Sequence, residues 1–262
     1  AKGDAATLPF GLTVAGREGW SQLCLYSEGD TWFRDEAIYA FFDRLIDEGF
    51  FFEFERVVFY GAGACAYAAC AYSVAAPGAI VVAVQPQATL DPTVAEWDSR
   101  FLRMRGTDFT SRFGYAPAMM EAAAKGFVLY DPNVKEDAMH AALFTREGVE
   151  KLRCTYLGTD LEPALTQMDM LVPLLRAAGR GTLTRAVFAD LWRRRRDYVP
   201  YLRRLVVTLE SRERPMLAGL AARAVLSRRN GPRFRKALKT AEAQLAKADR
   251  SLPDARTLPP EA

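Results

Sequence analysis

The stretch Arg56-Val57-Val58-Phe59-Tyr60-Gly61-Ala62-Gly63-Ala64-Cys65-Ala66-Tyr67-Ala68-Ala69-Cys70-Ala71-Tyr72 decides the fold. A β-branched, apolar run enters a turn of very small residues and leaves as an Ala-rich segment, the pattern of a strand, a tight turn and a helix. The strand is expected at Val57–Tyr60 and the helix from about Ala64 to Ala75, where Pro77-Gly78 breaks it. A turn of this kind sets free N–H groups of a helix start at the carboxyl edge of a sheet, where α/β proteins place ligands.

Downstream, Ala79-Ile80-Val81-Val82-Ala83-Val84 is a continuous apolar run, as expected of a parallel strand buried on both faces. It completes a βαβ unit, right-handed by rule. Residues 85–117 form a polar, irregular excursion that would cap the sheet edge. Phe127-Val128-Leu129-Tyr130 then reads as a strand stopped by Asp131-Pro132, Glu136–Phe144 as a helix and Leu152–Leu157 as a strand closed by Gly158. From Leu161 onward only helices are expected, over about 161–178, 184–196, 198–211, 214–228 and 232–248. Upstream, Leu23–Ser27 reads as the first strand, and Ala37, Phe41, Phe42, Leu45 and Ile46 recur at helical spacing up to Gly49. Phe50, Phe51, Phe52 and Phe54 would staple that helix end to the sheet. The expectation is therefore an α/β domain with a mostly parallel sheet over 19–180. A flexible arm over 1–18 precedes it, and a basic helical segment over 181–250 and a flexible tail over 251–262 follow.

Half of the 262 residues are hydrophobic, enough for one full α/β core with a smaller appendage. No apolar run approaches the roughly 18 to 20 residues that span a bilayer, and residues 1–18 lack the charged-then-apolar pattern of a secretory signal, so a cytoplasmic protein without an integral membrane segment is expected. Cys24, Cys65, Cys70 and Cys154 lie in apolar contexts without metal-type spacing; reduced, buried thiols and no metal site are the expectation. Charge divides sharply along the chain. Residues 181–250 carry eighteen Lys/Arg against six Asp/Glu, while residues 1–180 sum to −8 within a total of +3.

The order strand, G-x-S-x-G elbow, helix, strand, strand ending in an acid, helix, strand, histidine is the signature of the α/β-hydrolase fold, and residues 20–180 resemble it. Aligned on Gly61, the nucleophile slot is Gly63, while Cys65 and Ala66 take the small positions that let helix and strand approach. Asp131 falls where that family keeps its acid. Beyond the last strand, where its histidine belongs, stand Gly158-Thr159-Asp160. A nucleophile needs a reactive atom and a base to take its proton, so this elbow is degenerate. The only histidine, His140, lies in a helix before the last strand and reads as structural. Sliding the frame by two residues makes Cys65 the attacking atom in Gly63-Ala64-Cys65-Ala66-Tyr67, as in dienelactone-type hydrolases, although Tyr67 then crowds a glycine slot.

The same turn also matches the dinucleotide-binding pattern G-x-G-x-x-A in Gly61-Ala62-Gly63-Ala64-Cys65-Ala66. The next strand, however, ends in Gln85 instead of the acid that would hold a ribose hydroxyl. No cofactor is expected from either frame alone.

Longer stretches carry a further resemblance: Asp30-Thr31-Trp32-Phe33-Arg34-Asp35, Phe59 to Tyr67, Pro86-Gln87-Ala88-Thr89-Leu90-Asp91, Asp137 to Phe144 and Gly231 to Leu238. Over most of its length the chain resembles an alphaproteobacterial, Rhodobacter-type group of α/β-hydrolase-like proteins whose members are often labelled phosphoadenosine phosphosulfate reductase. The Ser-Gly-Gly-x-Asp-Ser phosphate loop and the C-terminal Cys-Gly-x-His segment of true sulfonucleotide reductases are both missing here.

A ligand at the carboxyl edge would meet Arg34, the amides around Gly61, Ala62, Gly63 and Ala64, and Gln85 and Gln87, a set suited to phosphate, sulfate or carboxylate. The simpler reading pairs Arg34 with Asp35 or Asp91 to pin loops. The run Arg193-Arg194-Arg195-Arg196 points all around a helix, so polyanion contact and docking to protein both fit it. Phe234, Leu238, Ala241 and Leu245 form a stripe that would seat on the protein itself or on a second subunit. Together these features point to a noncatalytic α/β-hydrolase-like protein acting by binding or assembly, with a protein partner or self-association. The alternatives are a nucleotide binder, a hydrolase using Cys65 with Asp131, and the labelled reductase.

Overall fold

Four parallel strands, β1 (Val58–Ala62), β2 (Ile80–Val84), β3 (Lys125–Tyr130) and β4 (Val149–Arg153), form one sheet in the order β1-β2-β3-β4 in the computed structural model, which describes residues 10–254. The register sets Gly61 beside Ala83, Ala83 beside Val128 and Leu129 beside Leu152. Residues up to Trp192 make one compact unit and those from Arg193 onward a second, a division twelve residues later than the change in charge suggests.

In the first unit, α1 (Phe10–Glu18) and α2 (Glu36–Asp47) precede β1, and α3 (Ala64–Ala71) with a 3-10 turn over Tyr72–Ala75 links β1 to β2. The excursion from β2 to β3 holds only the short helices α4 (Pro92–Ala95) and α5 (Ala116–Met119). Helix α6 (Lys135–Leu143) links β3 to β4, and α7 (Leu161–Gln167), α8 (Leu171–Gly179) and α9 (Arg185–Trp192) follow. Every residue of β2 is buried, because helices cover both faces of the sheet, as parallel strands require. Val81 and Ala83 share a core with Tyr67, Tyr72, Phe109, Phe113 and Val128; the alternate positions, Val82 and Val84, face the other layer.

Helix α3 meets β1 at very short range. A Cβ on Gly61 would lie 2.1 Å from the carbonyl oxygen of Cys65, so only glycine permits the approach. Gly63 turns the chain at φ 57 and ψ −124, a conformation few L side chains adopt. Its N–H donates to the Val84 carbonyl at 2.9 Å, and its own carbonyl accepts from Ala66 N and Tyr67 N. The turn is thus sewn to β2 and to α3 together.

Several expectations are corrected. The arm over 1–18 contains α1, whose Val14 and Ala15 are buried and whose Glu18 holds Arg176 at 2.6 Å and Arg180 at 3.2 Å; residues 1–9 lie outside the described part. Leu23–Ser27 forms no strand: beside it Trp20 is wedged against Gly179 of α8, where a glycine Cβ would come within 2.3 Å of the indole. Strand β4 begins at Val149 rather than Leu152. The span 161–178 is two helices, parted where Asp169 adopts φ 53. Of the four phenylalanines, Phe51 reaches Phe59 of β1, but Phe52 is 81% exposed and staples nothing.

The second unit packs α10 (Val199–Ser211), α11 (Pro215–Leu226) and α12 (Pro232–Ala246) after a 3-10 turn, Arg193–Asp197, that carries the arginine run. Phe234, Ala237, Ala241 and Leu245 form the buried stripe of α12. Gly219 of α11 lets Ala241 come close: a Cβ there would be 3.2 Å from that of Ala241.

Gly61→Ala should destabilise the first unit by about 3 kcal/mol or more, since the added methyl meets backbone that cannot swing aside. Urea denaturation followed by far-UV circular dichroism measures this; a loss below about 1 kcal/mol would show that α3 can retreat from β1.

Candidate functional site

The carboxyl edge of the sheet is occupied by a hydrogen-bonded network whose members are far apart in sequence. Ala88 N–H donates to His140 Nδ1 at 3.2 Å, which leaves the imidazole proton on Nε2, facing Asp98 Oδ2 at 3.0 Å. Arg100 clasps Asp98 through Nε and Nη2, the latter at 2.8 Å, and reaches Asp137 through Nη1 at 2.6 Å. Asp137 also accepts from Gln85 Nε2 at 2.6 Å, and Gln85 Oε1 accepts from Leu161 N–H at 3.1 Å. Asp98, Asp137 and His140 are all buried. Burial works against a charge on Asp98, yet the bonds from His140 and Arg100 outweigh it and hold this carboxyl well below the usual carboxylate range. Burial likewise opposes the Arg100 charge, and the two aspartates overcome it.

His140 therefore has both nitrogens committed, lies fully buried and is covered by the Trp97 ring at 4.5 Å. Both ring nitrogens are spent on holding the loops that carry Ala88 and Asp98. Asp131 is similarly engaged: Oδ1 accepts from Asn133 N–H at 2.9 Å, and Oδ2 accepts from Gly158 N–H at 2.7 Å. It ties the end of β3 to the loop after β4.

Arg34 pins loops, as the simpler reading has it, but through backbone rather than through Asp35 or Asp91. Its guanidinium donates to the carbonyls of Asp108 at 2.9 Å and Arg112 at 2.6 Å and to Ser111 Oγ at 2.9 Å. Beside it, Tyr67 donates to the Phe113 carbonyl at 2.7 Å, so the excursion is held down from two elements. Arg34 and Gln85 thus spend their side chains on the fold. Gln87 is buried, its Nε2 on the Gln85 carbonyl at 3.2 Å, and among the described residues its Oε1 has no partner. Within the turn Gly61, Ala62, Gly63, Ala64 only Gly63 is shown to face open space: a Cβ there would meet nothing within 4 Å, whereas Gly61 is packed against the Cys65 carbonyl.

A large open space lies along the free edge of β1 and reaches Gly61 and Ala62 of that turn. It is a cavity of about 540 Å³, within the usual size range of small-molecule sites. One wall is Trp20 to Leu25 taken consecutively, and another is Arg56 to Ala62, also consecutive. Successive strand residues point to opposite faces, so a wall formed by all of them is the strand's edge. The hydrogen bonds explain its character. Ile80 N–H donates to Val57 O, and Gly63 N–H to Val84 O, so odd-numbered residues of β1 face β2 and the main-chain groups of Val58, Tyr60 and Ala62 face outward. The rest of the lining is mainly apolar, with Phe10, Phe50, Phe51, Phe54 and Leu175 among it, and its polar groups include Glu162, which accepts a hydrogen bond from the Tyr60 hydroxyl.

Cys24 and Cys65 both line this cavity and are exposed, against the expectation of buried thiols, whereas Cys70 and Cys154 are buried. Although Cys65 is exposed as a residue, desolvation by the surrounding apolar walls pushes its thiol up, and the neighbouring Glu162 and Cys24 push it further. That is the reverse of what activates a cysteine nucleophile. Burial also raises the Tyr60 phenol, with Glu162 adding to it. Among the described residues no cluster of His, Cys, Asp and Glu is arranged to hold a metal ion, and no helix is long and apolar enough to cross a membrane.

Comparison with family models, curated proteins and solved structures returned no match. The site is therefore read from its chemistry alone. Sequence reasoning missed Asp98, Arg100 and Asp137, whose only local trace is an acid and a base two residues apart, and it missed the cavity because no strand was expected to stand clear of β1.

Asp98→Asn should cost about 2 kcal/mol at pH 7 by removing the buried carboxylate that holds the partly exposed Arg100 and the buried His140. Because the folded Asp98 titrates below its unfolded value of about 3.9, its contribution is full above that pH and fades as pH falls through it towards the folded value. The native protein should therefore lose stability below about pH 4 more steeply than the variant. Parallel stability curves over that range would contradict the charged assignment.

Proposed function

We propose that this chain is a noncatalytic α/β-hydrolase-like protein that acts by binding, and that its ligand is an elongated, mostly apolar molecule seated along the free edge of β1. The observation that carries the reading is the pairing of an empty turn with a formed cavity. Gly63 holds the strained backbone that would present a nucleophile, yet it has no side chain. Asp131 is bound to Asn133 and Gly158, and His140 to Ala88 and Asp98. Neither Asp131 nor His140 is left to serve a nucleophile, and Glu162, the carboxylate near Cys65, already accepts the Tyr60 hydroxyl.

Chemistry of the lining sets the class of ligand. Apolar and aromatic side chains remove an alkyl or ring system from water at roughly 25 cal/mol per Å² of buried surface. The outward main-chain groups of Val58, Tyr60 and Ala62, together with Glu162, can meet a single polar end. A nucleotide fits poorly, because a phosphate would enter an apolar cavity that also holds Glu162.

Titration with a fluorescent long-chain alcohol and native mass spectrometry with dodecanol, whose neutral hydroxyl can donate to Glu162, test this. Saturable one-to-one binding is expected. Leu23→Arg, at a half-exposed lining position, should weaken it at least about tenfold, or ~1.4 kcal/mol, while Phe52→Ala, outside the lining, should leave it unchanged. Saturable NAD binding, or ester turnover that disappears in Cys65→Ser, would overturn the reading.

A further inference from the structure

The second unit carries a charge pattern that neither the cavity nor the empty turn explains. Residues 193–254 hold seventeen Lys/Arg against six Asp/Glu. Part of this charge is neutralised: Arg233 pairs with Glu210 at 2.5 Å, and Arg228 and Arg229 lie near Asp197 at 3.7 and 3.9 Å. Helix α12 is different. With Phe234, Ala237, Ala241 and Leu245 buried, its outer face presents Arg235, Lys236, Lys239 and Lys247, all exposed and none in an ion pair among the described residues. At 100° per residue these four fall within an arc of about 120°. Glu242 stands at one rim of that arc. Ala243 and Ala246 lie between the cations, Thr240 stands just beyond Lys247, and Pro232 in the first turn is the only apolar side chain larger than alanine within the arc, which holds no aromatic ring.

We propose that this arc is a docking face for the phosphodiester backbone of duplex nucleic acid, read without regard to base sequence. Charge complementarity is the first ground: four uncompensated cations on one rigid helix face attract a dense line of anions. Geometry is the second. A rise of 1.5 Å per residue separates Arg235 from Lys239 by about 6 Å and Lys236 from Lys247 by about 16 Å along the axis, spans that a duplex covers with several phosphates. What the arc lacks narrows the partner further. Without aromatic rings it offers no platform for unstacked bases, and without large apolar side chains it has nothing to insert into a lipid interface. The run Arg193-Arg194-Arg195-Arg196, in its 3-10 turn, is not needed for this face.

Fluorescence polarisation of the full chain with labelled mixed-sequence DNA and RNA duplexes of about 20 base pairs, between 50 and 200 mM KCl, tests the proposal. Binding at 50 mM is expected to fall roughly a hundredfold by 200 mM, as the release of counterions from about four phosphates requires. Reversing charge in Lys236→Glu with Lys239→Glu should weaken binding more than tenfold without lowering the unfolding temperature. Arg212→Glu, exposed but outside the arc, makes a control that should change affinity less than threefold. Absence of duplex binding at 50 mM KCl would overturn the proposal, as would an equal loss in Arg212→Glu or tighter association with phosphatidylcholine–phosphatidylglycerol vesicles than with duplex. These outcomes leave the long-chain-alcohol titration untouched, because that ligand belongs to the other unit.

Discussion

Helix α3 reaches the sheet only because residue 61 has no side chain. The Cys65 carbonyl fills the place a Cβ would take, and this contact fixes where the helix begins, how Gly63 must turn, and which way the edge of β1 faces. Tyr67 and Tyr72 follow from it. Each is buried on or just beyond α3 and donates a hydrogen bond to a loop carbonyl, of Phe113 and Phe33 respectively, so the position of one helix sets the long excursion over 85–117 and the approach to α2. A single close approach of backbone to backbone thereby organises one whole face of the first unit.

The polar edge beside that contact is rich in groups that resemble catalytic equipment, and each of them is engaged in bonds that hold loops together. An aspartate, an arginine, a second aspartate, a histidine and a glutamine meet in one chain of bonds in which the donors and acceptors satisfy one another. A buried network of this kind stabilises one arrangement of loops, and losing any member strands the others in low dielectric. Reactivity would need a group left over. The cavity along β1 shows the opposite composition, broad apolar walls with a few main-chain groups exposed.

Much of this was legible in the sequence. The continuous run Ala79–Val84 announced a doubly covered parallel strand, the small residues from Gly61 to Ala66 announced a tight strand–helix junction, and Asp131-Pro132 marked the end of a strand. Local pattern failed where distance decides. Leu23–Ser27 has the composition of a strand, but Trp20 is lodged against Gly179, over a hundred residues away, and no neighbour pairs with the segment. His140, Asp98 and Gln85 gave no shared signal because hydrogen-bond partners forty to fifty residues apart leave no period to read. The pairing of Arg34 with backbone carbonyls was equally hidden, since a carbonyl is present at every residue.

The account rests on residue 63 offering hydrogen where a reactive atom would stand, and intact-mass spectrometry after incubation with acyl and phosphonyl probes measures that most directly. An unchanged mass across the probe series is the result this structure predicts. A stoichiometric covalent adduct on any residue of the chain would contradict it.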